Sequence, residues 1–319
     1  MDIIIVCHTE FGFVYNKRVI YDKKAIDGVE KGVINLNKVV DKYQAKVTYA
    51  IMPEVMKYFP KNIDHELGLH IHPGFVNLDD FKGNKLYIGD SYLKEHCNQS
   101  INSTILQDYS YKEQLEMIKT GKDFHQDVFG VEPNSFVAGR WSVNNDTIKA
   151  LIQVGITHDC SAITSSKSDH YDWSKLPRIC MPYHPSSSDY QSKGNLPILI
   201  VPISHLYGDG NANPEVISSV GLSFLKACFL EYYKQKLPLF HICLHSPCMT
   251  DDYFISATNE IIKFISNHKN INFKFASEIN EYNHVDSKTK ILPYLFAINR
   301  HAMRTYANEI KTRISGETR

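Results

Sequence analysis

The chain has 319 residues, 43% of them hydrophobic, which is enough for a sizeable buried core in one large α/β barrel or two smaller domains. Acidic and basic residues balance at 35 each, so net charge gives no reason to expect a nucleic-acid partner, and no run of about 18 apolar residues could cross a bilayer. The seven cysteines are scattered, odd in number and without a CxxC pair, a pattern that points to a reduced, cytoplasmic protein.

The N-terminal "MDIIIVCHTEFG" has neither a basic leader nor a small-residue cleavage site; its apolar, β-branched run 2–7 reads as a buried parallel strand. Ile26, Val29, Val33, Leu36, Val39 and Val40 recur at helical spacing and predict a helix over 26–43. A strand over 46–51, a short helix over 53–59 and the strand "HELGLHIH" (65–72) follow. Residues 75–107 show no period and read as an insertion of the kind that shapes a substrate site.

The strand–helix rhythm then resumes. A helix is expected over about 110–128, a strand at "NSFVAG", and a helix at "NNDTIKALIQVG" with an asparagine cap and a closing Gly155. The strand "ITHDCSA" precedes a second long loop, 164–195, rich in Ser, Pro and Tyr. Strands over 196–204, 237–245 and 271–277 alternate with helices over 214–236 and 254–268. About seven such units favour a closed or nearly closed (β/α) barrel, and the phosphate-binding signatures GxGxxG and GxxxxGK[ST] are missing. After a barrel of residues 1–284, the tail 285–319 turns basic and weakly amphipathic. It reads as a helical appendage suited to peripheral membrane contact or partner docking.

In parallel barrels the chemistry collects at the C-terminal ends of strands. Those ends carry His8 and Glu10, His70 and His72, Arg140 and Trp141, His158, Asp159 and Ser161, and His241 and His245. Residues i and i+2 of a strand share a face, so His70 and His72 aim at one point. Any single histidine at a strand end is more often structural. Asp159 serves equally well as a turn cap, and His241, in mid-strand, reads as buried and hydrogen-bonded. Taken together, Glu10, His70 and His72 offer two imidazoles and a carboxylate from neighbouring strands, a set that suits Zn²⁺ or a similar ion at about 2.0–2.2 Å with a position left open for water. His245, on a distant strand of the same rim, could act as an acid across the site. Loop aromatics (Tyr87, Tyr92, Tyr171, Trp173, Tyr183, Tyr190) suit sugar stacking or the pinning of their own loops.

An ordered series over residues 1–277 resembles the polysaccharide deacetylases, the NodB-homology group of carbohydrate esterase family four. "CHTEFG" stands at the family's first acidic motif and "AKVTYAIMPEVMKYFP" at its second segment. "ELGLHIHPG" resembles the metal-binding histidine motif in the compact HxH form of members tied to surface-polysaccharide biosynthesis. "SFVAGRWSVNNDTIKALIQVGITHDCS", "YDWSKLP", "LPILIVPIS" and "CLHSP" resemble later segments. The resemblance implies a distorted (β/α)7 barrel that hydrolyses an N- or O-acyl group on a sugar, such as a nucleotide- or lipid-linked precursor of O-antigen or capsule. By position it makes Glu10, His70 and His72 the metal ligands and His245 the general acid, with the Arg140–Trp141 backbone near the oxyanion and Asp159 in the site. Two departures stand out. His8 occupies the position of the family's aspartate base and is left as base or fourth ligand, and Val137 occupies that of the arginine that orients the aspartate. A glycan-binding barrel without chemistry, or a hydrolase of small amides or imides, are the alternative outcomes.

Overall fold

The computed structural model describes residues 1–22, 25–79, 85–205 and 211–282; the basic tail 285–319 and the side chain of Tyr87 lie outside the described residues. Seven consecutive buried positions make β1 (Asp2–Thr9) a strand covered on both faces. The hairpin β2 (Phe13–Tyr15) and β3 (Arg18–Ile20) follows, then α1 (Asp27–Asp41), β4 (Thr48–Ile51) and β5 (Glu66–Ile71). A second hairpin, β6 (Phe75–Asp79) and β7 (Lys85–Gly89), leads into α2 (Ser91–His96), α3 (Tyr111–Phe129) and β8 (Ser135–Ala138). Next come α4 (Asn145–Gln153), β9 (His158–Asp159) and β10 (Leu199–Ile200), then α5 (Ile217–Val220) and α6 (Leu222–Lys234). The described chain ends with β11 (Leu239–His245), α7 (Asp252–Ser266) and β12 (Asn272–Lys274).

The main sheet is parallel, in the order β10–β9–β8–β5–β4–β1–β11, with β12 added beside the N-terminal half of β1. Beyond β10 the chain turns toward the opposite edge. Ser204 N–H donates to the His241 carbonyl at 3.1 Å, and His241 N–H donates to Ser204 Oγ at 2.8 Å. The sheet therefore curls into the expected distorted (β/α)7 barrel. Alternation along the strands sorts the apolar side chains into two cores. Ile4, Val6, Ala50, Val137, Leu199, Val201 and Leu239 form one cluster, while Ile3, Ile5 and Cys7 pack with the helices in the other.

The helices follow from their sequences. α1 buries Val29, Val33, Leu36, Val39 and Val40, as their spacing predicts; truncating Leu36, fully buried, to alanine would cost about 2–5 kcal/mol. α3 starts with a Ser110–Glu113 capping box and stops at Gly130, whose φ of 73° is left-handed. Asn144 caps α4 by accepting from Thr147 N–H at 2.9 Å.

Several expectations change in detail. The helix over 53–59 is a 3₁₀ turn, Pro53–Tyr58, too short to gain from α-helical cooperativity. The strands over 156–162 and 196–204 shrink to β9 and β10, and Tyr183, from the loop between them, pairs with the other edge of β10 at Ile200. The helix over 214–236 is broken at Gly221 (φ 83°). The featureless segment 75–107 contains a hairpin and a short helix.

Candidate active site

The strand register assembles the site. β1 pairs with β11 so that His8 lies opposite His245, and their ring centroids are 4.7 Å apart. On the other side β5 carries His70, centred 4.9 Å from His8 and 4.9 Å from His72. Glu10, one residue past the end of β1, is 5% exposed and lies between them. Its Oε1 is 2.8 Å from His70 Nε2 and 3.3 Å from His72 Nε2. Ser246 Oγ accepts from Glu10 N–H at 3.2 Å and ties the end of β1 to the end of β11.

The hydrogen-bond chemistry at His70 favours a cation. Its Nδ1 lies 2.9 Å from the Val137 carbonyl, which can only accept, so Nδ1 carries the hydrogen. A neutral ring then presents a lone pair at Nε2 toward a carboxylate oxygen that also only accepts. A proton or a metal ion between the two atoms satisfies both. The ligand atoms of His8, Glu10 and His70 all fall within 4.8 Å of one another. His8 Nε2 is buried without a hydrogen-bond partner. Burial, then the nearby His245 and His70, push the His8 imidazole well below its ordinary pKa and keep it neutral. Burial alone would raise the pKa of Glu10, but the bonds from His70 and His72 outweigh it and hold the carboxylate ionised. Buried imidazoles at His8, His70 and His72 around an ionised carboxylate make a fitting donor set for a divalent ion.

The expected ligands Glu10, His70 and His72 come together on one carboxylate, and His8, expected as base or fourth ligand, lies within reach of Glu10 and His70. His72 is held from below by Gly139, where a Cβ would come within 2.4 Å of the imidazole ring. Val137, in place of the expected arginine, buries its side chain in the barrel and uses its carbonyl to orient His70.

Sequence reasoning missed Glu215. It enters at the 3₁₀ turn Pro214–Val216, where Asn213 Oδ1 accepts from its N–H at 2.8 Å. Glu215 Oε1 accepts from His245 Nδ1 at 3.0 Å and from His245 N–H at 2.8 Å. Burial by itself would lower the His245 pKa; the Glu215 carboxylate overrides it and raises the ring to about 9, so it is protonated at neutral pH. Only the "NPE" helix start hinted at this residue, and nothing in its spacing linked it to His245.

A cavity of ≈ 200 Å³ joins these groups, with His8, Glu10, His72, Arg140 and His245 on its polar side. Phe11, Tyr21, Met52 and Trp141 supply apolar wall. The remaining candidates lie elsewhere. Asp159 does not line the cavity; its Oδ1 accepts from the N–H and hydroxyl of Ser161, the geometry of a turn cap. Burial pushes its carboxyl up to about 7. His241 is fully buried with Nδ1 3.2 Å from two carbonyls, and burial lowers it to about 4. His158 Nε2 donates to the Ile279 carbonyl at 2.9 Å. Trp173 and Tyr183 are buried, and Tyr92 is sandwiched between His96 and Phe124, so these aromatics pin loops.

No sequence-family profile and no curated protein matches the chain. Solved structures do. A protein assigned as a polysaccharide deacetylase from Mycobacterium smegmatis superposes with a TM-score of 0.54 at 12% identity over 85% of each chain. One assigned the same way from Pseudomonas aeruginosa PAO1 gives 0.53 at 14%, over 86% of this chain and 87% of that one. Puue allantoinase gives 0.55 at 14%, again over 86% and 87%. At these identities the likeness establishes the fold, the (β/α)7 barrel seen in these structures.

Proposed function

We propose that this protein is a metal-dependent hydrolase that removes an N- or O-acyl group from a sugar-containing substrate. One observation carries the reading. The His8–Glu10–His70 cluster and the Glu215–His245 pair adjoin on paired strands, with His8, Glu10 and His245 lining one cavity, at the C-terminal rim of a barrel shared with polysaccharide deacetylases.

A divalent ion, with zinc the best match to nitrogen and carboxylate donors, would polarise the acyl carbonyl and make water more acidic. His8, Glu10 and His70 would hold it, while His72 buttresses the shared carboxylate. His245, kept protonated by Glu215, delivers its proton to the leaving nitrogen or oxygen as the acyl bond breaks. Water gives up one proton to solvent as its hydroxyl joins the acyl carbon, and His245 regains a proton from solvent once the product leaves. Phe11, Met52 and Trp141 limit bulk water around the reacting atoms.

The balanced charge, the HxH form and the seven free cysteines support a place in the cytoplasm, on a nucleotide- or lipid-linked precursor of a surface polysaccharide. The tail 285–319 would then provide peripheral membrane contact. The small cavity and the allantoinase likeness favour, as a second reading, hydrolysis of a small amide or cyclic imide.

Elemental analysis of wild type beside His70→Ala–His72→Ala, followed by acyl-release assays on N- and O-acyl sugars, tests the proposal. About one divalent ion per chain, lost with activity in the double variant, is expected. An ion without release from any sugar would shift the assignment to the amide or imide reading. No ion, even after zinc or cobalt is supplied, would leave a glycan-binding barrel.

A further inference from the structure

Arg140 lies on the cavity wall, and no carboxylate among the described residues answers its charge. The guanidinium is half-buried, and among the described residues it forms no ion pair. Its polar contact runs from Nη1 to His170 Nε2 at 2.7 Å. A guanidinium can only donate, so that imidazole accepts and contributes no charge. Both carboxylates of the site are engaged elsewhere, Glu10 with His70 and His72, Glu215 with His245. Beside Arg140, Trp141 also lines the cavity, and its Nε1 is buried without an acceptor.

The backbone makes the arrangement costly. Arg140 and Trp141 have φ of 53° and 54°, two bulky residues in the left-handed region, at on the order of 1–3 kcal/mol each. The turn is locked from behind. The Trp141 carbonyl accepts from Trp173 Nε1 at 3.0 Å, and His72 packs against Gly139. A half-buried cation and a spare N–H on one wall thus lack only an anionic acceptor.

We propose that Arg140 and Trp141 receive a carboxylate or phosphate carried by the substrate, so that the protein acts on acidic or phosphorylated acyl sugars in preference to neutral ones. This specificity rests on the deacylase reading, and the test separates the two. Calorimetric titration of N-acetylglucosamine, its 1-phosphate, its 6-phosphate and N-acetylglucosaminuronate compares wild type with Arg140→Gln and Arg140→Lys. At least one anionic sugar should bind about tenfold or more tightly than the neutral parent. That ratio should fall to near one in Arg140→Gln and survive in part in Arg140→Lys. Preference for the phosphates or for the uronate names the anion. Absence of any anionic preference in wild type, failure of every anionic sugar to bind, or a preference unchanged in Arg140→Gln would overturn the proposal. If Arg140→Gln does not fold, competition by inorganic phosphate and by glucuronate against the preferred sugar decides in wild type, and no competition by either anion counts against it. Acyl release is scored separately. Release without anionic preference sinks this inference and spares the deacylase reading, and an Arg140-dependent preference without release does the reverse.

Discussion

Replacing Gly139 by alanine tests whether the backbone beneath His72 sets the position of that ring. Gly139 is not among the positive-φ glycines, so alanine is allowed by the backbone and its effect is steric. An ideal Cβ would lie 2.4 Å from His72 Cγ and Nδ1 and 2.5 Å from Cε1. Ordinary carbon contacts need roughly 3.5 Å, so the ring must retreat by about 1 Å. His72 Nε2 is 3.3 Å from Glu10 Oε1, and a retreat of that size takes it out of hydrogen-bond range. Overpacking should cost about 1–3 kcal/mol in urea unfolding. Disturbing a partner of the shared carboxylate should weaken zinc binding by about 10–100-fold, read by competition with a chromophoric chelator. The double-mutant cycle with His72→Ala isolates the clash. With the ring gone, Gly139→Ala should change stability by no more than about 0.5 kcal/mol. A full stability loss persisting in the absence of the ring, or wild-type zinc affinity in the single variant, would refute the steric account.

Glu215→Gln keeps an acceptor for His245 but removes the charge. Acyl release should fall about 100-fold with zinc content retained; loss of zinc would instead make Glu215 a ligand, and undiminished turnover would remove His245 as proton donor. His8→Ala should weaken zinc binding at least about tenfold in equilibrium dialysis, whereas unaltered binding with lost turnover would make His8 the proton acceptor. Burial pushes the Asp159 carboxyl from its ordinary range near 3.8 up to about 7, so the folded state holds the extra proton in that window. Stability should therefore fall as pH rises from about 4 to 7, by on the order of a few kcal/mol, and level off above. In Asp159→Asn the fall should vanish; urea midpoints at pH 5 and pH 8 that differ as much as in wild type would exclude Asp159 as its source.

Local pattern settled much of this protein. The apolar run at residues 3–7, the helical spacing from Val29 to Val40 and the caps at Ser110 and Asn144 each act over a few residues, so they could be read without the fold. The i, i+2 spacing of His8 with Glu10 and of His70 with His72 likewise placed four donors on one rim. Other features depend on contacts far apart in sequence. Strands β9 and β10 are short, and the loop between them returns Tyr183 to pair with Ile200, which no periodicity reports. Register between β1 and β11 placed His8 against His245, and a turn near residue 215 brought Glu215 to His245 across 30 positions of chain. Residue type and spacing determined which side chains could do chemistry. Only tertiary packing decided which of them meet, because burial, a neighbour's charge and the lack of an ion pair at Arg140 among the described residues are properties of the assembled barrel.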